Sequence, residues 1–565
     1  MKRKIIYSIL FVVTVFTFTR CSDFLDTKID TFTTPERVET SYGTLWNFAN
    51  AFYTPLQNGF TTIDNNLFAS ASDEAQQTLA VSNVSYFNKG TINPNVNPLS
   101  YLYMYYYEGI RAAYFFLEYA KDGEHFLTLN RDTSRVVNPQ NYINYERDVN
   151  RLRWYRAEAK VAVAYYYSEL IKMYGGVPIV TTTMDKDPNA GNISRSSYDQ
   201  VVEHIVELID SQSDSLQVDW ATHEDNVAGQ AGRFDKATAL AIKARALLYA
   251  ASPRNNPNND QAKWIRAAKA AQDLITFKKF TLPENRNYNS YFLGTGALNN
   301  NESIYFIRKG VTNTPEVNNY PISTPGGNSG ITPTENLVSA YEYIAAPDPS
   351  DPYKNRDPRL AASIVVNGST WNNRVINQSA GGSDDMAKAN TSRTGYYLKK
   401  FLTDNMNLTQ TPTAQHLWPL YRYAEVLLNY AEAMNEAYGP DATPAGYTLS
   451  ARAALTQVRR CASTSLPAVT TTNKADFRTA VKHERQIELA FEDHRYWDLI
   501  RWKDAETVLN RPVKGVRVSK DMNGVFSYQV MDVASRVFMS RNYYLPFTRA
   551  EVENSKGTLT QNDGY

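Results

Sequence analysis

The chain has 565 residues, of which 59 are Lys or Arg and 58 are Asp or Glu, so its formal net charge is +1. This length exceeds that of an average domain but allows one large helical unit. Balanced charge excludes the clustered basic excess of a nucleic-acid-binding protein, so we expect no nucleic acid partner. With 43% hydrophobic and 21% charged residues, the composition is that of an ordinary globular protein.

The chain begins with a basic segment at positions 2–4, followed by an apolar run at positions 5–18. This order is typical of a secretory signal, and the run is short for a spanning helix. Cys21 follows after two further residues and resembles the lipid-attachment site of bacterial lipoproteins. We therefore predict that residues 1–20 are a signal peptide and that Cys21 carries lipid. Arg20 stands where such sites have a small residue, so an uncleaved anchor with an incidental cysteine remains the alternative.

The remainder of the chain alternates between helix-like segments and loops rich in Gly, Pro and Asn. Thr34, Pro35 and Glu36 form a helix-start signal, with a capping residue followed by proline. Apolar residues at helical spacing, start signals and stop signals predict the later helices. In chain order, these lie over 101–118, 144–174, 198–209, 235–251, 264–275, 421–437, 450–460 and 476–502.

Consecutive amphipathic helices joined by short turns favour helix-hairpin repeats that pack side by side. The segment 156–176 is similar to a tetratricopeptide helix in its spacing of Ala and Tyr. A different region, about 282–413, interrupts the helices and is rich in Asn, Gly, Pro, Ser and Thr. Loops of this length inside a compact protein are usually functional or disordered.

No catalytic or metal-binding pattern emerges from the sequence. The six histidines show no paired ligand spacing, and no glycine-rich phosphate loop or nucleophile elbow is present. Cys461 lies beside Arg459 and Arg460, which could lower its pKa, but no histidine partner is nearby, so we interpret it as a small residue on a helix face. We therefore predict a protein that is not an enzyme and has no cofactor and no metal.

Three carboxylates, Glu484, Glu488 and Glu492, repeat every four residues along one predicted helix. Paired carboxylates can hydrolyse glycosides, but that chemistry needs two groups facing each other across a substrate. Arginines at 485, 495 and 501 are close in sequence, so we interpret the three carboxylates as part of an ion-paired network.

The stretch from Glu484 to Trp502, which contains these carboxylates, closely resembles the signature of the SusD/RagB family. Four further stretches resemble the same family in the right order along the chain. They are residues 21–26, residues 157–159 with 174–178, residues 422–428 with 431–433, and residues 561–565. The resemblance covers nearly everything after the signal segment.

This resemblance implies a mostly α fold of tetratricopeptide-like helix-hairpin repeats, with a loop-rich ligand face and little β structure. Residues 21–565 would form one ligand-binding domain. The resemblance also implies a lipid anchor in the outer membrane, exposure at the cell surface and a TonB-dependent SusC-like transporter as partner. Arg485, Glu488 and Asp498 would belong to the scaffold. The implied role is capture of a glycan and its delivery to that transporter, and the alternative is capture of peptides, as in RagB. An enzyme is a distant third, because no catalytic pattern emerges from the sequence.

Sugars are bound by aromatic faces together with side chains that offer several hydrogen-bonding atoms. Trp371 lies in a polar stretch with Asn372 and Arg374, and is either a stacking platform on a loop or a ring packed back onto the core. We predict that it contributes to ligand binding and not to stability. The same region supplies three secondary candidates, Tyr288, Tyr291 and Tyr320.

An earlier loop, which contributes to the ligand face in members of the family, supplies three more candidates. They are Asp73, Tyr86 and Asn88. This loop contains no tryptophan, unlike the loop of starch-binding members, so starch is the less expected ligand.

Overall fold

The computed structural model describes residues 42–79, 81–120, 127, 133–183, 193–212, 215–220, 232–277, 280–298 and 300–565. The predicted signal peptide, Cys21 and the helix start at Thr34 lie outside the described residues. Within them the fold is mostly helical with a few short strands, which confirms the predicted fold class. No helix in these ranges is both long enough and apolar enough to cross a membrane.

Most of the longer helices agree closely with those predicted, and Tyr42–Ala51 is an additional one. They span Tyr42–Ala51, Ser100–Ala120, Pro139–Tyr174, Tyr198–Asp210, Lys236–Ala251, Gln261–Thr276, Tyr423–Tyr438, Ala451–Ala462, Lys474–Glu488 and Arg495–Trp502. Shorter helices span Val84–Asn88, Tyr288–Phe292, Thr314–Asn319, Glu335–Val338, Pro358–Ser363, Ala505–Val508 and Arg549–Asn554.

The helix Pro139–Tyr174 shows how local sequence sets these limits. Asn138 caps its start by accepting a hydrogen bond from the backbone N–H of Asn141, and proline occupies the first helical position. The helix ends at Gly175, whose φ of 77° is one that glycine adopts without strain. The predicted start at residue 144 was therefore too late by more than one turn, because the cap precedes the apolar pattern.

Helices that are neighbours in sequence pack against each other in pairs. Ser100–Ala120 packs on Pro139–Tyr174, Lys236–Ala251 on Gln261–Thr276, and Tyr423–Tyr438 on Ala451–Ala462. The first pair approaches closely at Gly109, where an added Cβ would lie 2.3 Å from the ring of Tyr166. This arrangement is the helix-hairpin packing expected from the sequence.

The predicted helix 476–502 is wrong in one respect, because the chain breaks between Glu488 and Arg495. Phe491 and Asp493 have φ values of 65° and 59°, which an α-helix does not allow. The break is fixed from outside the segment, since the Asp493 carboxylate accepts hydrogen bonds from the backbone N–H of Phe68 and the hydroxyl of Thr62. Partners more than 400 residues away in sequence therefore end this helix.

The described strands form five two-stranded antiparallel sheets. The strands are β1 Ala75–Gln77, β2 Ser303–Thr312, β3 Ile331–Pro333, β4 Ile364–Val365, β5 Thr370–Trp371, β6 Arg374–Val375, β7 Tyr397–Leu398, β8 Ala414–Arg422, β9 Val513–Lys520 and β10 Phe526–Ala534. Strand β2 pairs with β8, β1 with β3, β4 with β7, β5 with β6 and β9 with β10. The β2–β8 pair brings together the two ends of the region that separates the helical blocks.

Two hydrophobic cores result from this arrangement. The first lies between the paired helices and includes the buried tyrosines at 165, 166 and 167. The second lies under the loop-rich region and includes Trp371, Tyr320 and Phe491. The loops at 282–413 are therefore ordered by a core of their own, which is what positions the surface described next.

Candidate functional site

The hairpin β5–β6 is the centre of the loop-rich face. Its two-residue turn consists of Asn372 and Asn373, with φ values of 52° and 58°. Asparagine is among the residues that tolerate this left-handed conformation, which tight two-residue hairpins require. The hairpin directs the ring of Trp371 into the second core and leaves the side chain of Asn373 in solvent.

The tip of this hairpin is joined to the neighbouring loop by two reciprocal hydrogen bonds. The backbone N–H of Asn372 donates to Oδ1 of Asp404 over 2.8 Å, and the backbone N–H of Asn405 donates to Oδ1 of Asn372 over 2.8 Å. Asn405 also has a left-handed backbone, with φ 60°. Local side-chain to backbone bonds of this kind hold both loops in one conformation.

Arg374 fixes the other side of the hairpin. Its two terminal nitrogens donate to the two carboxylate oxygens of Asp384 over 2.8 and 2.9 Å. The same guanidinium donates to the hydroxyls of Ser323 and Thr324. Burial acts to raise the pKa of Asp384, but hydrogen bonds from Arg374, Ser323 and Ser383 outweigh it and lower this pKa, so the carboxylate stays ionised.

The loop after Thr324 completes the face, because the backbone of Gly326 lies close to the side chain of Leu408. Gly326 has φ 88°, and a Cβ added there would lie 2.8 Å from Cβ of Leu408. Only glycine satisfies both conditions without a shift of the neighbouring loop.

These three loops together form what we call the polar loop surface. Its exposed members carry amide, carboxylate or hydroxyl groups, and they are Asn328, Asn373, Asp404, Asn405, Asn407 and Thr409. The surface is rigid, since each loop is bonded to the hairpin or packed on the next loop. Such a surface can bind a ligand with many hydroxyl or amide groups, because its hydrogen-bonding side chains are held in place before the ligand arrives.

The structure corrects the predicted exposure of Trp371. Only 2% of this residue is exposed, and its ring packs edge-on against Tyr320, with 5.9 Å between the ring centroids. Tyr320 is itself fully buried. Of the two alternatives left open by the sequence, the ring packed back onto the core is the one observed, because the second core lies directly beneath the hairpin. Neither ring can stack against a ligand in this conformation.

Tyr288 and Tyr291 are also buried and lie apart from the hairpin. The Tyr288 hydroxyl donates to the backbone carbonyl of Glu488 and accepts a hydrogen bond from Nζ of Lys400. The hydroxyls of Tyr291 and Ser303 are 3.0 Å apart, and burial raises the pKa of Tyr291 to about 12. Both rings therefore serve the core.

The candidates from the earlier loop separate from the hairpin group as well. The Asp73 carboxylate accepts two hydrogen bonds of 2.8 Å from Arg495, and this pairing lowers its pKa despite burial. Tyr86 packs on the first core, and the backbone carbonyl of Asn88 accepts a hydrogen bond from Val537. Among the described residues, no hydrogen bond or ring contact connects these three residues to Trp371, Asn372 or Arg374. Of the predicted contacts, the structure thus brings together Trp371, Tyr320, Asn372 and Arg374 only.

The carboxylates of the family signature are buried and ion-paired. The carboxylate oxygens of Glu488 lie 2.6 Å from Nη1 of Arg422, 2.6 Å from Nη2 of Arg286 and 2.8 Å from Nη1 of Arg359. Burial opposes ionisation of Glu488, but the three guanidinium groups dominate and lower its pKa. The ion-paired network was expected, although its cations come from distant segments of the chain.

The other two carboxylates of the stripe are occupied in the same way. Glu484 binds Arg359 and Arg459, and Glu492 binds Arg422 and Lys400. Each is therefore engaged in holding segments together. Because buried cations occupy all three, they do not present a free pair of carboxylates to a substrate.

Sequence reasoning missed the side chains that the structure leaves available on the polar loop surface. Asn373 and Asn405 are exposed, and neither side chain forms a hydrogen bond with another described residue. The consecutive asparagines at 372 and 373 were a signal for a tight hairpin, whose two turn residues lie beyond the paired strands. Such a turn would have placed Asn373 in solvent, whereas the face occupied by Trp371 depends on the packing beneath the hairpin.

No group of three or more His, Cys, Asp or Glu side chains in the described ranges is placed to hold a metal ion. Cys461 is buried, and burial raises the pKa of its thiol to about 11. The neighbouring guanidinium groups do not overcome this effect, so the thiol is protonated at neutral pH.

Two family models match the chain. One, described as the SusD family, matches residues 289–565, and the other, described as starch-binding associating with outer membrane, matches residues 23–248. Two curated proteins of Formosa agariphila are similar. SusD-like protein P2 is 23% identical over 74% of this chain and 75% of its own length. SusD-like protein P38 is 24% identical over 64% of this chain and 69% of its own length.

Solved structures share the fold. A SusD-like protein from Bacteroides fragilis superposes with a TM-score of 0.74 at 22% identity, covering 96% of this chain and all of the other. A SusD-like carbohydrate binding protein from the same species superposes with a TM-score of 0.70 at 23% identity. The match covers 91% of this chain and 98% of the other. Surface glycan-binding protein A from Bacteroides fluxus superposes with a TM-score of 0.63 at 20% identity. The match covers 93% of this chain and 100% of the other.

Proposed function

The chain belongs to the SusD/RagB family, and from this premise we propose that it captures a glycan at the cell surface and delivers it to a SusC-like transporter of the outer membrane. The observation that carries the proposal is the polar loop surface, where Asn373 and Asn405 stand exposed on loops locked by Asn372 and Asp404. Glycans present hydroxyl groups in fixed directions, and fixed amide side chains are suited to bind them.

Binding without cleavage is the second part of the proposal. Glycoside hydrolysis needs two carboxyl groups on opposite sides of the scissile bond. The carboxylates of the signature, Glu484, Glu488 and Glu492, are each ion-paired in the interior. Asp404 on the polar loop surface accepts two backbone N–H groups and has a structural role.

The membrane anchor and the transporter partner form the third part. Lipid on Cys21 would keep the protein beside the barrel, and such tethering raises the effective ligand concentration at the pore even where contacts are weak. Mass spectrometry of protein extracted from membranes should show an acylated Cys21 at the N-terminus. Gentle detergent extraction should recover a large barrel together with the protein. A chain that still begins at Met1, or a protein recovered only alone, would count against this part.

Binding to matched panels of oligosaccharides and peptides tests the central claim. We expect a glycan to bind and no peptide to bind with comparable affinity. Asn373→Ala should weaken glycan binding about tenfold if this side chain contacts the ligand. Preference for a peptide would establish the alternative, RagB-like role, and release of shortened sugars would show an enzyme.

Asn65→Ala is the matched control for this substitution. Asn65 is also exposed and left-handed, with φ 56° against 58° at Asn373. Alanine therefore meets the same backbone strain at both positions, while only Asn373 lies on the polar loop surface. Equal loss of affinity in the two variants would show that backbone strain, and not a ligand contact, is responsible.

A further inference from the structure

A second concave site adjoins the polar loop surface, between the segment 378–393 and the hairpin β9–β10. Its cavity has a volume of about 500 Å³. Asp385, in its wall, directly follows Asp384, the residue that binds Arg374. A chain-like ligand on the polar loop surface could therefore extend into this cavity.

The cavity exists because the segment arches between two attachments to the same strand. Ser379 forms a parallel bridge with Val518, and the backbone N–H of Val516 donates to the carbonyl of Thr394 over 2.8 Å. Between these points the chain is held away from β9. The Asp385 carboxylate fixes the arch by accepting hydrogen bonds from two backbone N–H groups, at 2.8 and 2.9 Å, within the segment.

Gln378, in the cavity wall, has an unusual side chain. It is only 3% exposed, and neither Oε1 nor Nε2 has a hydrogen-bond partner among the described residues. Buried polar groups are nearly always hydrogen-bonded, because an unpaired amide loses its hydration without compensation. Its backbone is fixed, since its N–H donates to Oδ1 of Asn367 over 3.0 Å. Rotation of the amide toward the cavity would break no existing bond.

The charges in the wall are balanced. Arg393 and Arg517 are exposed and form no ion pair in the described part of the chain, while Asp385 and Asp532 supply two negative charges. Two cations and two anions leave no net charge, so the wall does not select a charged ligand.

Apolar groups complete the lining. Met386, Met531 and Val518 offer carbon surface beside these polar groups. One face of a sugar ring consists largely of C–H groups, and its hydroxyls can both donate to and accept from an amide.

We propose that this cavity is a further saccharide subsite, which binds an uncharged sugar unit through the amide of Gln378 and the apolar wall at Met386 and Met531. The inference rests on the proposed function, since it concerns the glycan that the protein captures. It assigns to Gln378 a direct ligand contact, and it predicts that the captured glycan is neutral where it enters the cavity.

Methyl NMR of the full chain, labelled at the methionine methyl groups, tests this inference. The probes are neutral oligosaccharides of glucose, xylose and mannose, with oligogalacturonate as the acidic counterpart. Met386→Leu and Met531→Leu assign the two reporter signals. We expect a neutral probe to shift both signals, and Ala380→Trp, which fills the cavity, to abolish the shifts. Ala262→Trp introduces the same side chain at an exposed helix position as the control.

Gln378→Leu separates a ligand contact from a structural role. We expect about fivefold to tenfold weaker binding of the neutral probe, with no loss of thermal stability, because the amide has no partner to lose. Lower stability with unchanged affinity would show instead that the amide is satisfied within the folded protein by buried water, and would overturn its assigned role.

The remaining outcomes distinguish this inference from the proposed function. A glycan that binds without shifting either methionine signal overturns the subsite and leaves glycan capture standing. Shifts caused only by oligogalacturonate overturn the neutral ligand class. Binding of peptides and of none of the sugars overturns the proposed function, and the subsite with it.

Discussion

Arg374 and Asp384 face each other through two parallel hydrogen bonds, of 2.8 and 2.9 Å, across the loop-rich face. A guanidinium and a carboxylate match in this geometry, and the pair is stronger and more directional than a single contact. It joins the β5–β6 hairpin to the segment that continues into the cavity wall at Asp385. The polar loop surface and the cavity therefore share one structural connection.

Arg374→Lys should loosen this connection while keeping the charge, because an ammonium group cannot bind both carboxylate oxygens in the same way. We expect faster hydrogen exchange in peptides covering 377–385, measured by mass spectrometry. Arg452→Lys is the control, since Arg452 makes a similar two-point contact with Asp441 elsewhere on the surface. Unchanged exchange at 377–385 in the Arg374 variant would mean that the loop is ordered without this pair.

Trp371→Ala should destabilise the fold strongly, in contrast to the expectation from sequence. The ring is 2% exposed and contacts Tyr320, so its removal leaves a cavity and should cost about 3–5 kcal/mol in the free energy of unfolding. Chemical denaturation monitored by circular dichroism measures this. Val375→Ala, an exposed position on the same hairpin, should change stability little. If the Trp371 variant were as stable as the wild type, the ring would not be part of the core, and the prediction that it is exposed for ligand stacking would stand.

Glu488→Gln should be among the most damaging single substitutions in the interior. It removes the negative charge that Arg286, Arg359 and Arg422 share, so each of these buried cations loses one of its carboxylate partners. Loss of one member of such a pair typically costs about 3–5 kcal/mol. Measurement is by equilibrium unfolding.

Glu284→Gln provides the control for Glu488, because Glu284 pairs with Arg460 at the exposed surface. Exposed pairs contribute about 0–1 kcal/mol. Similar losses in the two variants would contradict the view that burial sets the importance of the network.

Glu74 should give the protein a distinct pH dependence. Burial, reinforced by the neighbouring charge of Asp73, raises the pKa of Glu74 from its ordinary value of 4.5 to about 8. The folded state therefore holds a proton that the unfolded state releases between these values. The contribution of this bound proton to the free energy of unfolding is fully present below about pH 4.5 and is lost as the pH rises to about 8.

The Glu74→Gln variant tests this dependence. Unfolding curves measured from pH 5 to 8 give the free energy of unfolding at each pH. In the variant this free energy should fall less steeply with pH than in the wild type, and the difference in slope should correspond to about one bound proton. Glu506→Gln, at an exposed position, should keep the wild-type slope. Identical slopes in all three proteins would show that Glu74 titrates normally in the folded state.

The sequence by itself determined the family, the mostly helical class and the limits of most long helices. These features depend on interactions between residues close in the chain, such as the Asn138 cap, Pro139 and the glycine at 175. Apolar spacing along each helix is likewise a local pattern, so it could be interpreted without knowledge of the fold.

Only the tertiary structure decided what depends on distant partners. The break after Glu488 is fixed by Thr62 and Phe68, and the cations bound to Glu488 come from three separate segments. Trp371 was assigned to a binding surface because its neighbours in sequence are polar. Its neighbours in space are Tyr320 and the second core, and burial is set by contacts in space, so Trp371 is buried while Asn373, in the turn of the same hairpin, is exposed.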